Sequence, residues 1–253
     1  MTLEALIFDV DGTLADTERD GHRVAFNLAF RQAGLDWEWT PELYGDLLEV
    51  TGGKERIRHY VDKYRPDFQP PADFAQQVAS LHAAKTRFYE QLAAEASIPM
   101  RPGVLRLLTE AREAGLRLAI ATTTTPANVT ALLAHSGVPD LASWFEVIGA
   151  GDIVPKKKPA PDIYEYVLQQ MDLAPGQCVA FEDSYNGILA SRGAGLATVV
   201  TVNDYTRDHH FEDALIVLDS LGEPQQPFEV LAGPKVNGHQ YLNLQLLQQL
   251  VAA

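Results

Sequence analysis

The sequence predicts an α/β protein, a Rossmann-like parallel sheet that carries an inserted all-helical domain. Two observations predict this class. From residue 99 onward, short apolar runs of strand type alternate with amphipathic helical patterns, which is typical of a parallel sheet covered by helices on both faces. Between residues 17 and 98 the alternation stops and helical patterns follow one another. We therefore expect a core domain of residues 1–16 and 99–253 and a helical domain of residues 17–98.

The elements of the core are predicted from apolar runs and from the residues that interrupt them. The first strand is the run Leu6-Ile7-Phe8, and further strands are expected at residues 116–121, 146–150, 178–181, 197–202 and 215–218. Helices are expected to begin at Pro102-Gly103, at Thr125-Pro126 and at Pro161, since threonine is a good N-cap and proline suits the first helical turn.

The helical domain and the tail are predicted from spacing alone. Apolar residues recur at helical intervals over residues 22–33, 43–48, 56–64 and 74–94. No strand is predicted after residue 225. Apolar residues between 241 and 251 predict a short helix that packs on the core, with a dimer contact as the alternative.

Composition narrows the class of protein. A chain of 253 residues, 46% of them hydrophobic, can bury one core and a small second domain. Neither a membrane span nor a signal peptide is expected, because no run of eighteen apolar residues occurs and a strand begins near Met1. The single cysteine, Cys178, is expected in the core. Because one cysteine cannot form an internal disulfide, we expect the protein in a reducing cytoplasm, with a plastid-like compartment as the alternative. A net charge of −14 argues against nucleic acid or an anionic membrane as a partner. We expect a monomer that acts on a small molecule.

The candidate chemistry lies where predicted strands end. Asp9 and Asp11 follow the first strand, and Gly12 then turns the chain. Two carboxylates this close repel each other when ionised, and a divalent cation such as Mg²⁺ relieves that repulsion. The pair therefore predicts a metal-assisted site in which one aspartate is free to act as a nucleophile.

Three later segments carry polar residues at corresponding places. Thr122 ends the second predicted strand and is followed by Thr123, Thr124 and, one turn on, Asn128; hydroxyls and backbone N–H groups before a helix bind anions. Lys158 stands directly before Pro159, whereas Lys156 and Lys157 are expected to face solvent. Glu182 and Asp183 follow the strand that begins at Cys178.

These segments, in this order, resemble the four motifs of the haloacid dehalogenase superfamily of phosphotransferases, and the helical domain resembles the helical cap of one of its subclasses. The resemblance implies that Asp9 is the nucleophile and Asp11 the general acid and base. It implies that Thr122 and Lys158 hold the phosphoryl group. It further implies that Mg²⁺ is held by Asp9, by the Asp11 carbonyl and by Asp183, with Glu182 in or just outside the coordination shell.

A closer resemblance is to the CbbY-type phosphatases, which act on xylulose 1,5-bisphosphate, an inhibitor of Rubisco. It rests on Asp16-Thr17-Glu18, on Thr51-Gly52-Gly53-Lys54-Glu55-Arg56 and on His82-Ala83-Ala84-Lys85-Thr86. A bisphosphate needs a second anion site, for which Gly52-Gly53 permits close backbone approach and Lys54 and Arg56 supply charge. The substrate-binding residues expected in full are Glu18, His22, Gly52, Gly53, Lys54, Arg56, His82, Lys85, Thr123, Thr124 and Asn128. Three residues separate Glu18 from His22, one more than this group leads us to expect.

Two other functions stay open at this point. A β-phosphoglucomutase-like isomerase shares the four motifs, the cap and a lysine similar to Lys85, and would return the phosphoryl group to the sugar. A non-catalytic sugar-phosphate sensor would need no acid or base at position 11. A dehalogenase is disfavoured, because Asp11 and Asp183 indicate metal and phosphate chemistry.

Overall fold

The computed structural model describes residues 3–96, 98–236 and 238–252, apart from the side chains of Asp20 and Ala96. In this part of the chain, seven strands form one sheet in the order β3-β2-β1-β4-β5-β6-β7. They are β1 (Ala5–Phe8), β2 (Arg117–Ala121), β3 (Phe145–Gly149), β4 (Cys178–Glu182), β5 (Ala197–Thr201), β6 (Ile216–Leu218) and β7 (Val230–Ala232). Strands β1 to β6 are parallel, and β7 is antiparallel to β6.

The predicted α/β class is confirmed, and each predicted strand is present with its ends shifted by one residue or less. The central strand β1 pairs with β2 on one side and with β4 on the other. All four of its residues are buried because helices cover both faces of the sheet, which explains its uninterrupted apolar sequence. The strand order reverses at β1, because β2 and β3 are added on one side of it and β4 to β6 on the other. Ligands of such sheets bind at the carboxyl ends of the strands beside this reversal.

In the described part of the core, five α-helices surround the sheet. They are α5 (Val104–Glu113), α6 (Pro126–Ala134), α7 (Asp162–Met171), α8 (Tyr185–Gly193) and α9 (Leu244–Ala252). Thr125 caps α6 as predicted, since its side chain accepts a hydrogen bond from the backbone N–H of Asn128. One face of the sheet packs on α5, α6 and α9 and the other on α7. Cys178 lies buried on the second face, as expected.

Among the described residues between β1 and α5, four α-helices follow one another. They are α1 (Arg23–Gln32), α2 (Pro41–Leu47), α3 (Gly53–Tyr64) and α4 (Phe74–Ala96). Their own core is aromatic, with Phe26, Phe30, Trp37, Trp39 and Tyr44 in mutual ring contact. This separate core supports the division into residues 1–16 and 99–253 and a cap of residues 17–98, which stays a prediction.

The described residues of the tail include an element that the sequence did not predict, β7, and one that it did, α9. Strand β7 was missed because it has three residues, two of them exposed, at the sheet edge. The predicted packing helix is α9, which buries Leu246, Leu247 and Leu250 in the core. Among the described residues, no helix combines the length and apolar character needed to cross a membrane.

Candidate active site

Three acidic side chains meet where β1 and β4 end. Asp9 follows β1, Glu182 is the last residue of β4 and Asp183 comes next. The three are buried, and one carboxylate oxygen of each lies within 4.8 Å of the others. Burial, opposed by Lys158 and reinforced by the neighbouring carboxylates, raises the pKa of Asp9 to about 7 and raises the pKa of Asp183 well above its ordinary value. A divalent cation would offset this repulsion, and hard carboxylate oxygens are the donors that Mg²⁺ prefers. The residues present therefore fit such a metal.

Lys158 neutralises part of this cluster. Its Nζ donates to Asp9 Oδ1 and to Glu182 Oε1, both at 2.6 Å. Burial alone would lower the pKa of Lys158, but the two carboxylates raise it above its ordinary value, so the side chain stays charged. Tyr164 also donates to Glu182 Oε1, at 2.5 Å. Glu182 thus holds Lys158 in place, and Lys158 fixes the Asp9 carboxylate.

Asp11 belongs to a different network, which reaches into the cap. His22 Nε2 lies 2.8 Å from Asp11 Oδ1, and the Thr17 hydroxyl donates to the same oxygen at 2.5 Å. Lys85 Nζ lies 2.8 Å from His22 Nδ1, on the far side of the ring. Burial acts to raise the pKa of Asp11, but the charge and hydrogen bond of His22 lower it well below its usual range. Burial lowers the pKa of Lys85 to about 8. Asp11 is therefore held by residues that belong to the cap.

The extra residue between Glu18 and His22 is accommodated by a π-helical turn. Residues Glu18–His22 form this turn, and the backbone N–H of Arg23 donates to the Glu18 carbonyl five residues earlier. A π-turn takes one more residue than an α-turn, and such turns occur often at functional sites. With it in place, Glu18 lines the cavity described below and His22 still contacts Asp11.

The threonine-rich turn after β2 presents two of its hydroxyl residues to the site. Thr122 and Thr123 line the cavity. Behind them, Asn128 donates from Nδ2 to the Thr124 hydroxyl at 2.9 Å, and Thr125 caps α6. Asn128 and Thr124 therefore brace the turn.

A cavity of about 400 Å³ lies over these residues, within the range of small-molecule sites. Its floor is made of sequence-predicted core residues: Asp9, Asp11, Thr122, Thr123, Lys158 and Asp183. Among the substrate-binding residues predicted in the cap, Glu18 and Arg56 also line the cavity. Arg56 is buried; its Nη1 donates to the Tyr44 hydroxyl at 2.9 Å and its Nε lies near the carbonyls of Leu47 and Val50.

The other predicted substrate-binding residues do not line this cavity; these are His22, Gly52, Gly53, Lys54, His82, Lys85, Thr124 and Asn128. Gly53 makes room for His82, because a Cβ at this position would lie 2.6 Å from the His82 ring. Lys54 Nζ pairs with Asp152 of the core at 2.5 Å. Lys157 binds the same carboxylate at 2.7 Å, so the expectation that it simply faces solvent is wrong.

Several residues of the site were not found from the sequence. Asn203 donates from Nδ2 to Asp183 Oδ2 at 2.7 Å, and its position just after β5 is the signal that could have identified it. Asn186 donates from Nδ2 to the Glu49 carbonyl at 3.0 Å and so joins the core to the cap. Tyr44 carries no such signal, because it looks like an ordinary core residue of a helix.

The arrangement defines the class of protein. A lysine fixes one buried carboxylate, and the carboxylates beside it fit a divalent metal. A site of this kind is suited to hydrolysis of phosphate esters. A model of haloacid dehalogenase-like hydrolases matches residues 3–195, and the chain belongs to that family. It is an enzyme of the phosphatase class.

Relatives agree with this assignment. Protein CbbY of Cupriavidus necator is 50% identical over 226 residues, which are 89% of this chain and 88% of that protein. Two crystal structures of CbbY from Rhodobacter sphaeroides are 47% and 46% identical, each with a TM-score of 0.80 over 87% of this chain and 95% of theirs. The first is a complex with phosphate, and the second is a mutant in complex with xylulose-(1,5)bisphosphate. A β-phosphoglucomutase from Clostridium difficile, 20% identical with a TM-score of 0.72 over 99% of this chain and 98% of that one, shows a likeness of fold alone.

Proposed function

We propose that this protein is a Mg²⁺-dependent sugar-phosphate phosphatase that acts through a phosphorylated Asp9 and prefers xylulose 1,5-bisphosphate. The observation that carries the proposal is that Asp9 and Asp183, at the metal-fitting cluster, and the buried guanidinium of Arg56 line one cavity. A bisphosphate needs a cationic group at each of two phosphates, and a guanidinium suits the second. The R. sphaeroides relative in complex with xylulose-(1,5)bisphosphate supports this substrate.

The carboxylates of Asp9 and Asp183 and the carbonyl of Asp11 would hold the metal, with Glu182 beside them. When bound, Mg²⁺ supplies positive charge for the phosphoryl oxygens. Lys158 and Thr122 would bind the same oxygens from the protein side, together with backbone N–H groups of the turn after Thr122.

In the first step, the Asp9 oxygen that is not bonded to Lys158 attacks phosphorus, and the bond to the sugar oxygen breaks as the new P–O bond forms. Asp11 gives a proton to the leaving oxygen. The low pKa of Asp11 means that it must gain this proton before the step. A phosphate dianion next to Asp11 favours that gain, because a nearby negative charge raises a carboxyl pKa.

In the second step, Asp11 takes a proton from the water that attacks phosphorus and releases phosphate from Asp9. Its contacts with Thr17 and His22 hold the carboxylate in one orientation for both steps. Since His22 and its partner Lys85 belong to the cap, cap closure would complete the network and exclude stray water until transfer is complete.

A phosphate-release screen tests the proposal. Pentose and hexose mono- and bisphosphates are offered to the Mg²⁺-loaded protein, and we expect the highest kcat/KM for xylulose 1,5-bisphosphate. Excess chelator should abolish the activity and added Mg²⁺ should restore it. If the folded, Mg²⁺-loaded protein released no phosphate from any sugar phosphate, the proposal would be wrong.

Two further measurements separate the alternatives. The shared fold with a β-phosphoglucomutase keeps the isomerase worth testing. Incubation with β-glucose 1-phosphate and a bisphosphate primer should yield phosphate; glucose 6-phosphate with little phosphate would favour the isomerase. Tight binding of a sugar phosphate without turnover would favour the sensor. A cytoplasmic location and a monomeric state stay predictions.

A further inference from the structure

Arg101 is a buried arginine that lies where the chain returns from the cap to the core. Its side chain is 7% exposed, and its nearest carboxylate is that of Asp16, which is 65% exposed and lies 3.4 Å from Nε. The charge is instead met mainly by backbone carbonyl oxygens. Nη1 donates to the carbonyls of Gly12 and of Thr201, the latter at 3.0 Å. Nη2 donates to the carbonyls of Val202, at 2.5 Å, and of Asp219, at 2.9 Å.

These carbonyls belong to chain segments whose relative positions determine where Asp11 and Asp183 lie. Gly12 lies in the turn that directly follows Asp11. Thr201 ends β5, and Val202 precedes Asn203, which binds Asp183. A single guanidinium therefore joins the turn of Asp11 to the sheet edge that fixes Asp183.

The backbone around Arg101 reinforces this connection. Its N–H donates to the Leu14 carbonyl at 2.8 Å, and Met100 forms a bridge with Ala15. The two chain segments that lead into and out of the cap are thus bonded to each other beside the Asp11 turn.

The turn itself tolerates little displacement. Gly12 has a φ of +83°, and a Cβ at this position would lie 2.3 Å from Asp183 Oδ2. The turn is thus packed directly against the carboxylate of Asp183. Losing the Arg101 tether would move Asp11 relative to the phosphorus that Asp9 attacks.

We propose that Arg101 is a positioning residue that fixes the orientation of Asp11 for proton transfer to the leaving oxygen. This inference rests on the proposed function. Arginine is required because its planar fork meets several carbonyls at once, whereas a lysine offers one point charge. With Mg²⁺ at saturation, displacement of the Asp11 carboxyl lowers kcat/KM most for substrates whose leaving oxygen needs a proton: as the P–O bond to a sugar breaks, that oxygen takes the proton of Asp11. A nitrophenolate leaves without it.

The test compares kcat/KM for a sugar phosphate and for 4-nitrophenyl phosphate, since kcat/KM covers the steps up to departure of the leaving group. Arg101→Lys should lower kcat/KM for the sugar phosphate by about tenfold or more, because a displacement of about 1 Å can cost a hundredfold in rate. It should leave kcat/KM for 4-nitrophenyl phosphate within about threefold of the wild type. Arg106→Lys is the matched control: Arg106 Nη2 donates to the carbonyls of Leu221, Gly222 and Leu242, away from the Asp11 turn. It should change the two values equally or not at all.

Two further variants make every outcome decisive. Arg101→Gln leaves no buried charge, so if Arg101→Lys fails to fold, the neutral variant must show the same selective loss. Equal losses on both substrates, or none, in the variant that folds would overturn the positioning role. Asp11→Asn, measured in parallel, should show the selective loss in full. If Asp11→Asn shows the selective loss and the Arg101 variants do not, only the positioning role of Arg101 is wrong. If Asp11→Asn shows no selective loss, the proposed role of Asp11 and the positioning role of Arg101 both fail.

Discussion

Replacing Asn203 with alanine should weaken the binding of a divalent cation without unfolding the protein. Asn203 Nδ2 donates to Asp183 Oδ2 at 2.7 Å, and its Oδ1 accepts from the backbone N–H of Tyr205 at 2.9 Å. The amide is thus held in one orientation and holds the carboxylate in turn. Groups of this kind orient the residues that bind a metal directly.

The size of the effect follows from the geometry. A hydrogen bond to a charged acceptor contributes about 1.5–3 kcal/mol. At about 1.4 kcal/mol per factor of ten, that loss corresponds to about tenfold to hundredfold weaker Mg²⁺ binding, which matches the usual cost of losing such an outer partner. Because Asn203 is only half-buried, water can replace part of the bond, and the lower end of this range is expected.

The assay is calorimetric titration of the metal-free protein with Mg²⁺, with the melting temperature as a check of folding. Asn243→Ala is the matched control, because Asn243 Oδ1 accepts from the backbone N–H of Leu246 at the start of α9. It should lower stability and leave Mg²⁺ affinity unchanged. If Asn203→Ala bound Mg²⁺ as tightly as the control variant, Asp183 would not be a metal ligand held in this way.

The remaining predictions concern the second phosphate and the metal-free state. Arg56→Ala should lower kcat/KM for a sugar bisphosphate by about tenfold to hundredfold and leave kcat/KM for 4-nitrophenyl phosphate unchanged. Arg58→Ala is the control, because Arg58 is exposed on the same helix. Equal losses on both substrates would mean that Arg56 supports the cap fold instead. Lys54→Ala should cost less than Arg56→Ala in the same assay, because Asp152 already pairs with Lys54. In the metal-free protein, burial raises the pKa of Asp9 to about 7. Because the folded protein then binds a proton more tightly than the unfolded chain, Asp9 stabilises the fold at low pH. Its contribution to the free energy of unfolding should be lost as the pH rises from about 4 to about 7. Melting temperatures of wild type and Asp9→Asn should converge at low pH and separate as the pH rises, with wild type the less stable; parallel curves would contradict the assigned environment of Asp9.

Most of the sheet could be predicted because strands β1, β2, β4, β5 and β6 are almost wholly buried and therefore apolar. Segments that contain glycine or proline separate these apolar runs. The motif residues could be predicted for a related reason: parallel strands bring their carboxyl ends to one edge, so Asp9, Thr122 and Asp183 had to lie near one another. By contrast, β7 could not be predicted, since a three-residue edge strand with two exposed residues has no alternating pattern.

The cap shows the limit of reasoning from charge and spacing. The sequence indicates that Lys54 and Arg56 are cations near a glycine pair, but only the packing of α3 shows that Arg56 lines the cavity while Lys54 pairs with Asp152. The extra residue before His22 left its position open until the π-turn was seen. Arg101 gave no signal at all, because its partners are backbone carbonyls from distant segments.

The central claim, a phosphorylated Asp9, is tested most directly by trapping the intermediate. The Mg²⁺-loaded protein is mixed with ³²P-labelled sugar phosphate, quenched in acid within milliseconds, and digested for peptide mapping. We predict label on the peptide that contains Asp9 in the wild type, and none in Asp9→Asn. A wild type that releases labelled phosphate during the same interval without ever carrying label on that peptide would contradict the account.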